Sequence, residues 1–248
     1  MSERPSSNDA AWTAERDDDS AARERLVSSF FSGTGKSYDR VVNIFTLGLD
    51  RHWKTEIVKL VPGPGKILDL ACGTGILTER LARRFPAAEI MGVDITPDYL
   101  AEYDKRIDRK PWIRARSALG NAETVALDGE FDAAISSYLA KYVDPDALLD
   151  NIGPRLRKGG MFIAHDFILP TKPVYLAGWN AYTRAMNRVG PALFIGFRTV
   201  FDDGLTSLIR RTDWFDAFAK ALERHDYADI HARRLSFETA GIIWATKT

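Results

Sequence analysis

One cysteine in 248 residues, Cys72, leaves no partner for an internal disulfide, so burial rather than cross-linking has to hold the fold. The four histidines and that cysteine are dispersed, without the spacing that metal ligands need, which argues against a metal centre. No run approaches the ~20 apolar residues that cross a bilayer. The first nine residues lack the apolar core of a secretion signal. An excess of one charge is missing too: 34 basic residues face 34 acidic ones, so nothing favours a nucleic-acid backbone as partner. The arginine pairs 83–84, 210–211 and 233–234 read as solvated faces. The expectation is a cytoplasmic protein without stable membrane insertion and without nucleic acid. Contact with lipid at a membrane surface and a homodimer both stay open.

What is present is an ordinary globular composition, 45% hydrophobic, at a length suited to one elaborated α/β domain. Residues 1–24 are polar and predict a disordered tail, with order from 25 to 248. Leu26, Val27, Phe30 and Phe31 recur at helical spacing, and a second helix is expected over 50–60, stopped by Pro62-Gly63-Pro64-Gly65. Strands are then expected at 66–71, 89–94, 112–116, 131–137 and 160–167, with helices between them, one over 145–157. Alternation of this kind predicts a parallel sheet with right-handed crossovers. It breaks at Pro170. Residues 171–226 read as a helical cap inserted between strands five and six, and the runs near 229–236 and 240–246 are close enough to require antiparallel pairing. The expected fold is a Rossmann-like α/β domain: a seven-stranded, mostly parallel sheet with helices on both faces.

The richest segment is Ile67-Leu-Asp-Leu-Ala-Cys-Gly-Thr-Gly75, a buried-strand run ending in a glycine-punctuated turn. Nineteen residues beyond Gly75, Asp94 closes a second strand. Gly73 and Gly75 let a ligand approach the backbone, and the following helix N-terminus favours a carboxylate. Asp94 can accept two ribose hydroxyls. Asp69 is placed to receive an ammonium. A dinucleotide would need Gly-x-Gly-x-x-Gly, and Thr78 follows Leu77 where the third glycine would have to fall. These residues favour S-adenosyl-L-methionine.

The chain resembles the class I S-adenosylmethionine-dependent methyltransferases over residues 30–248. Tyr38-Asp39, Asn43, Gly48-Leu49, Arg51-His52-Trp53-Lys54 and Phe237–Ile243 are similar to the ubiquinone/menaquinone C-methyltransferase family. The resemblance implies that Tyr38 covers the cofactor, that Ala71 and Ile95 belong to its site, that Asn121-Ala122 meets the adenine, and that Ser136 and Ser137 end the fourth strand beside the sulfonium. One departure matters. Where that family carries an arginine-asparagine pair, this chain has Ala140 and Lys141.

For the acceptor side, Lys141 could replace a cation for a phenolate, although a solvated lysine is the plainer reading. His165, at the end of strand five, could deprotonate a hydroxyl. Strand alternation separates it from Asp166, and Tyr138 completes the catalytic candidates. His52 is expected to pack beside Trp53. In the cap, Tyr175, Trp179, Tyr182 and Met186, then Leu193, Phe194, Phe197, Val200 and Phe201, suggest an apolar roof. The function expected is methyl transfer to an apolar aromatic or lipidic small molecule, on oxygen or carbon, of secondary-metabolite type. The alternatives are a quinone-pathway C-methyltransferase and a non-catalytic S-adenosylmethionine-binding module.

Overall fold

The computed structural model describes residues 20–248 apart from 64 and 199. The expected tail therefore lies outside the described residues up to residue 19. Helix α1 already spans Ser20–Phe31, so the tail cannot run to 24. Arg23 on this first turns' face donates to the buried Glu123 at 2.7 Å, a tie across the fold that helical periodicity alone does not reveal. Helices α2 (Gly35–Phe45) and α3 (Leu49–Leu60) follow, joined through Leu47 and Gly48 in left-handed backbone.

The sheet then alternates with helices: β1 (Lys66–Leu70), α4 (Ile76–Arg84), β2 (Glu89–Asp94), α5 (Pro97–Asp108), β3 (Ala115–Leu119), β4 (Phe131–Ser137), α6 (Pro145–Ile152) and β5 (Leu156–Phe167). After them come α7 (Pro173–Leu193), α8 (Leu205–Arg211), α9 (Trp214–Arg224), β6 (Tyr227–Leu235) and β7 (Ala240–Lys247). Strand order is β3-β2-β1-β4-β5-β7-β6. The first five strands pair in parallel, while β7 runs antiparallel to both β5 and β6. A seven-stranded, mostly parallel sheet is thus confirmed. The carboxyl ends of β1, β2 and β4 open on one edge, beside the reversal of strand order between β1 and β4, where ligands of such sheets bind.

Period-two alternation distributes the core. Leu68 and Leu70 face one layer with Phe162, Phe218 and Leu222, whereas Ile67 faces the other with Trp53, Ile57 and Leu81. A third apolar cluster joins α1 and α2 to the cap through Phe30, Val41, Trp179, Phe197 and Phe201.

Four expectations change. The cap ends near Arg211 rather than 226, because α9 buries Phe218, Ala221 and Leu222 against the sheet and serves as its crossover helix. Strand β3 starts at Ala115, since Ile113 first closes a turn onto the Lys110 carbonyl at 2.8 Å. Helix α6 stops at Ile152, where Gly153-Pro154 forms a 3-10 turn into β5. His52 is exposed; Trp53 alone packs inward, its Nε1 donating to Ser236 Oγ at 2.8 Å. Among the described residues no helix is long and apolar enough to cross a membrane.

Candidate active site

The turn after β1 bends through left-handed backbone at Ala71 (φ 53°), Gly73 (φ 56°) and Gly75 (φ 83°). At Gly75 a Cβ would also lie 2.9 Å from the Tyr103 ring, so both dihedral and space require glycine. Asp94 locks this turn to the end of β2. Its Oδ2 accepts from Gly73 N and its Oδ1 from Thr96 N, both at 2.8 Å. Burial pushes the Asp94 carboxyl up from its ordinary value, and the backbone donors pull it back.

Asp94 lines a cleft beside the glycine turn, at the carboxyl ends of the strands. The cleft also holds Tyr38, Ala71, Gly73, Ile95, Asn121, Ala122 and Tyr138 from the residues expected. A buried carboxylate, an amide-lined glycine turn and small side chains at 71, 73 and 122 fit a ribose-bearing ligand that approaches the backbone closely.

Three expected residues stand behind that wall. Asp69 is 1% exposed and accepts from Thr78 Oγ1 at 2.6 Å. Burial pushes its carboxyl up to about 7, against the opposing pull of the Thr78 bond and the Lys54 charge. Gly75 shapes the turn from below the cleft. Ser136 is buried away from the cleft, and its neighbour Ser137 is the one that lines it, as strand alternation demands. Asn121 uses its Oδ1 to accept from Glu123 N at 2.9 Å and its Nδ2 to donate to Glu24 at 2.7 Å. Arg23 and Glu24 also line the cleft, so α1 closes over it.

A second, smaller cavity lies under the cap, walled by Val41, Phe45, Phe167, Phe197, Val200 and Phe201 among others. The two clefts share Phe31, Tyr38, Tyr138 and Tyr142, so four aromatic rings form their boundary.

The catalytic candidates separate here. Lys141 lines the second cavity but is not solvated: its side chain is 2% exposed and pairs with Asp166 Oδ1 at 2.6 Å. Burial pushes the ammonium down while Asp166 holds it charged. Its Nζ lies 4.4 Å from the Tyr142 ring centre. His165 is fully buried and lines neither cleft. Its Nδ1 lies 3.2 Å from Ser137 Oγ, its Nε2 has no partner among the described residues, and burial with the nearby Lys54 and Lys141 charges keeps the ring neutral. It reaches the cofactor cleft only through Ser137. The separation of His165 from Asp166 holds, since Asp166 turns to Lys141 instead.

Tyr138 takes the central position. Its backbone is left-handed (φ 73°), its N–H donates to the His165 carbonyl at 2.8 Å, and its ring stacks on Phe167 at 4.9 Å. Its hydroxyl donates to Asp50 Oδ1 at 2.8 Å, and Asp50 in turn pairs with Lys54 on the next turn of α3. Sequence reasoning missed Asp50, Lys54, Tyr142, Arg23 and Glu24. The first two carried a signal: an i, i+4 acid–lysine pair flanking a buried tryptophan. The others had none.

Comparison with known proteins bears on family and fold. A methyltransferase-domain family model matches residues 67–160. The chain is similar to the demethylmenaquinone methyltransferase of Mycolicibacterium paratuberculosis, 32% identical over 174 residues, which cover 68% of this chain and 72% of that protein. The demethylmenaquinone methyltransferase of Mycolicibacterium gilvum is 28% identical over 228 residues, covering 89% and 94%. Among solved structures, a magnesium protoporphyrin IX methyltransferase from Synechocystis with bound S-adenosylhomocysteine superposes with a TM-score of 0.63 at 16% identity, over 91% of this chain and 100% of that one, a likeness of fold.

Proposed function

The chain belongs to the class I S-adenosylmethionine-dependent methyltransferases, and from that premise we propose that its acceptor is an apolar aromatic or lipidic small molecule held in the cavity under the cap. When bound, S-adenosylmethionine supplies a methyl carbon already activated by positive sulfur. What remains for the protein is alignment, exclusion of water and removal of a proton. On this reading Asp94 holds the ribose hydroxyls, the backbone of Ala71 and Gly73 receives the methionine end, and Asn121 with Ala122 borders the adenine. Tyr38 and Tyr99, with ring centres 4.9 Å apart, close the cleft.

The observation that carries the acceptor class is the wall of the second cavity: aromatic and aliphatic side chains with a single ion pair, Lys141–Asp166, at its margin. Such a wall suits a flat or prenylated ring and leaves the many hydroxyls of a sugar, or a phosphate, without partners. Lys141 has three N–H donors; two point at Asp166 and at the Tyr138 carbonyl, so one can meet an acceptor oxygen.

Methyl incorporation from labelled donor into hydroxylated naphthalenes, prenylated phenols and demethylmenaquinol tests the proposal. Phe201→Leu, a near-volume-conserving change in the cap wall, is expected to raise the acceptor KM severalfold and leave S-adenosylhomocysteine binding unchanged. If no acceptor is methylated while S-adenosylhomocysteine still binds, the protein acts as a non-catalytic binding module instead. A second reading, carbon methylation of a quinone ring, is favoured by relatives named ubiquinone/menaquinone biosynthesis C-methyltransferase and demethylmenaquinone methyltransferase. Turnover of demethylmenaquinol at least tenfold above the phenols would select it.

A further inference from the structure

We infer that Asp50, acting through the Tyr138 hydroxyl, takes the proton that leaves the acceptor's own hydroxyl. The inference rests on the second cavity being the acceptor site. Tyr138 is one of only four residues common to both clefts, so its ring stands where donor and acceptor must meet. A left-handed backbone at an aromatic residue is strained. Yet a phenylalanine stacked on Phe167 would fill the same space. The hydroxyl is the feature that packing does not explain, and it is spent on the carboxylate of Asp50, 5% exposed, at 2.8 Å.

That carboxylate has a cation beside it in an apolar place. Lys54 pairs with Asp50 and lies 4.9 Å from the Tyr138 ring centre. The other titratable groups around Tyr138 are Tyr38, His165, Lys141 and Asp166. Lys141 and Asp166 are committed to each other, and His165 is neutral with its Nδ1 against Ser137. Burial raises the Tyr138 hydroxyl far above its ordinary value, so it does not hold a phenolate. It passes a proton on in one motion.

The step balances as follows. The acceptor O–H proton moves to Tyr138 Oη while the Tyr138 proton moves to Asp50 Oδ1. An acceptor oxygen pair forms the new bond to the methyl carbon, and the carbon–sulfur pair stays on sulfur. Asp50 then returns its proton to solvent before the next turnover.

Acceptor acidity separates this role from a structural one. Tyr138→Phe keeps the Asp50–Lys54 pair and removes only the relay. With a weakly acidic naphthol, kcat is expected to fall roughly 100-fold or more, and then to climb about tenfold per pH unit, as removal of a general base requires. With a nitrophenol already ionised at about pH 8, the loss should be under roughly tenfold, because no proton need move. Asp50→Asn should reproduce both results. Should it fail to fold once Lys54 is unpaired, Tyr138→Phe alone decides. S-adenosylhomocysteine binding should be unchanged in Tyr138→Phe. Equal losses for both acceptors, or an unaltered pH profile, overturn the inference while leaving the acceptor site standing. A wild-type protein that methylates neither phenol overturns the acceptor reading itself, and the inference with it.

Discussion

Lys141→Met gives the sharpest energetic test of how the cavity under the cap is built. Lys141 and Asp166 are 2% and 0% exposed at the side chain and lie 2.6 Å apart. Methionine fills the lysine's volume but removes the charge, leaving Asp166 with two backbone donors, Phe167 N at 2.7 Å and Lys141 N at 3.2 Å. Stranding one member of a buried pair costs about 3–5 kcal/mol. At roughly 2–4 °C per kcal/mol for a chain of this size, the melting temperature should drop by about 6–20 °C. The cost should shrink on acidification. Without the lysine, burial raises the folded-state pKa of Asp166 above its unfolded value, so proton uptake restores stability as pH falls through the folded pKa. Urea unfolding at pH 8 and pH 5.5 measures both effects. Lys141→Met/Asp166→Leu should recover most of the loss, since replacing a whole buried pair is close to neutral. Lys158→Met, at an exposed lysine, is the reference. If Lys141→Met costs no more than Lys158→Met at pH 8, the pair is not a buried ion pair and the argument fails.

Two further outcomes follow from the donor side. Asp94→Ala removes the acceptor of two backbone N–H groups and, on the proposed reading, of the ribose hydroxyls. Calorimetry with S-adenosylhomocysteine should show binding weakened by about 1.5–3 kcal/mol, and unchanged affinity would remove Asp94 from the site. Asp69→Asn should flatten the pH dependence of stability. The folded pKa is about 7 against an ordinary 3.8, so proton-linked stability is complete below the unfolded value and is lost as pH rises through about 7. Three units set an upper bound of about 4 kcal/mol by which Asp69→Asn gains on wild type at pH 8, and parallel stability curves from pH 4 to 8 would refute it.

The donor half was legible because it is local. A strand, a turn with glycine where φ is positive, and an acid at the next strand end lie within 28 residues, and backbone geometry carries most of the chemistry. The sheet was legible for the same reason, since its strands announce themselves by apolar runs. The errors came where placement depends on distant partners. Lys141 reads as solvated until Asp166, a sheet strand away, is brought against it. Helix α9 reads like the cap helices because its apolar face does not say whether sheet or cap will cover it. Ser136 and Ser137 differ only by strand parity, which needs the strand's register.

The proposed acceptor half is distributed for a physical reason. A cavity that takes an apolar ring must be closed on all sides to exclude water, and no single strand–turn–helix unit can surround a ligand. Its wall therefore comes from α1, α2, the end of β4, β5 and the cap, five places that share no sequence pattern. The polar groups of such a cavity have to arrive already paired, because a lone charge there would be too costly. Asp50 with Lys54, and Lys141 with Asp166, satisfy that condition, and both lysines lie near the Tyr138 ring. Sequence patterns find charges that face water or repeat along a helix; paired charges in a cavity wall do neither, except where both partners share one helix. Asp50 and Lys54 do share one. The pair four residues apart around Trp53 was the one trace of acceptor chemistry that the sequence carried on a single element.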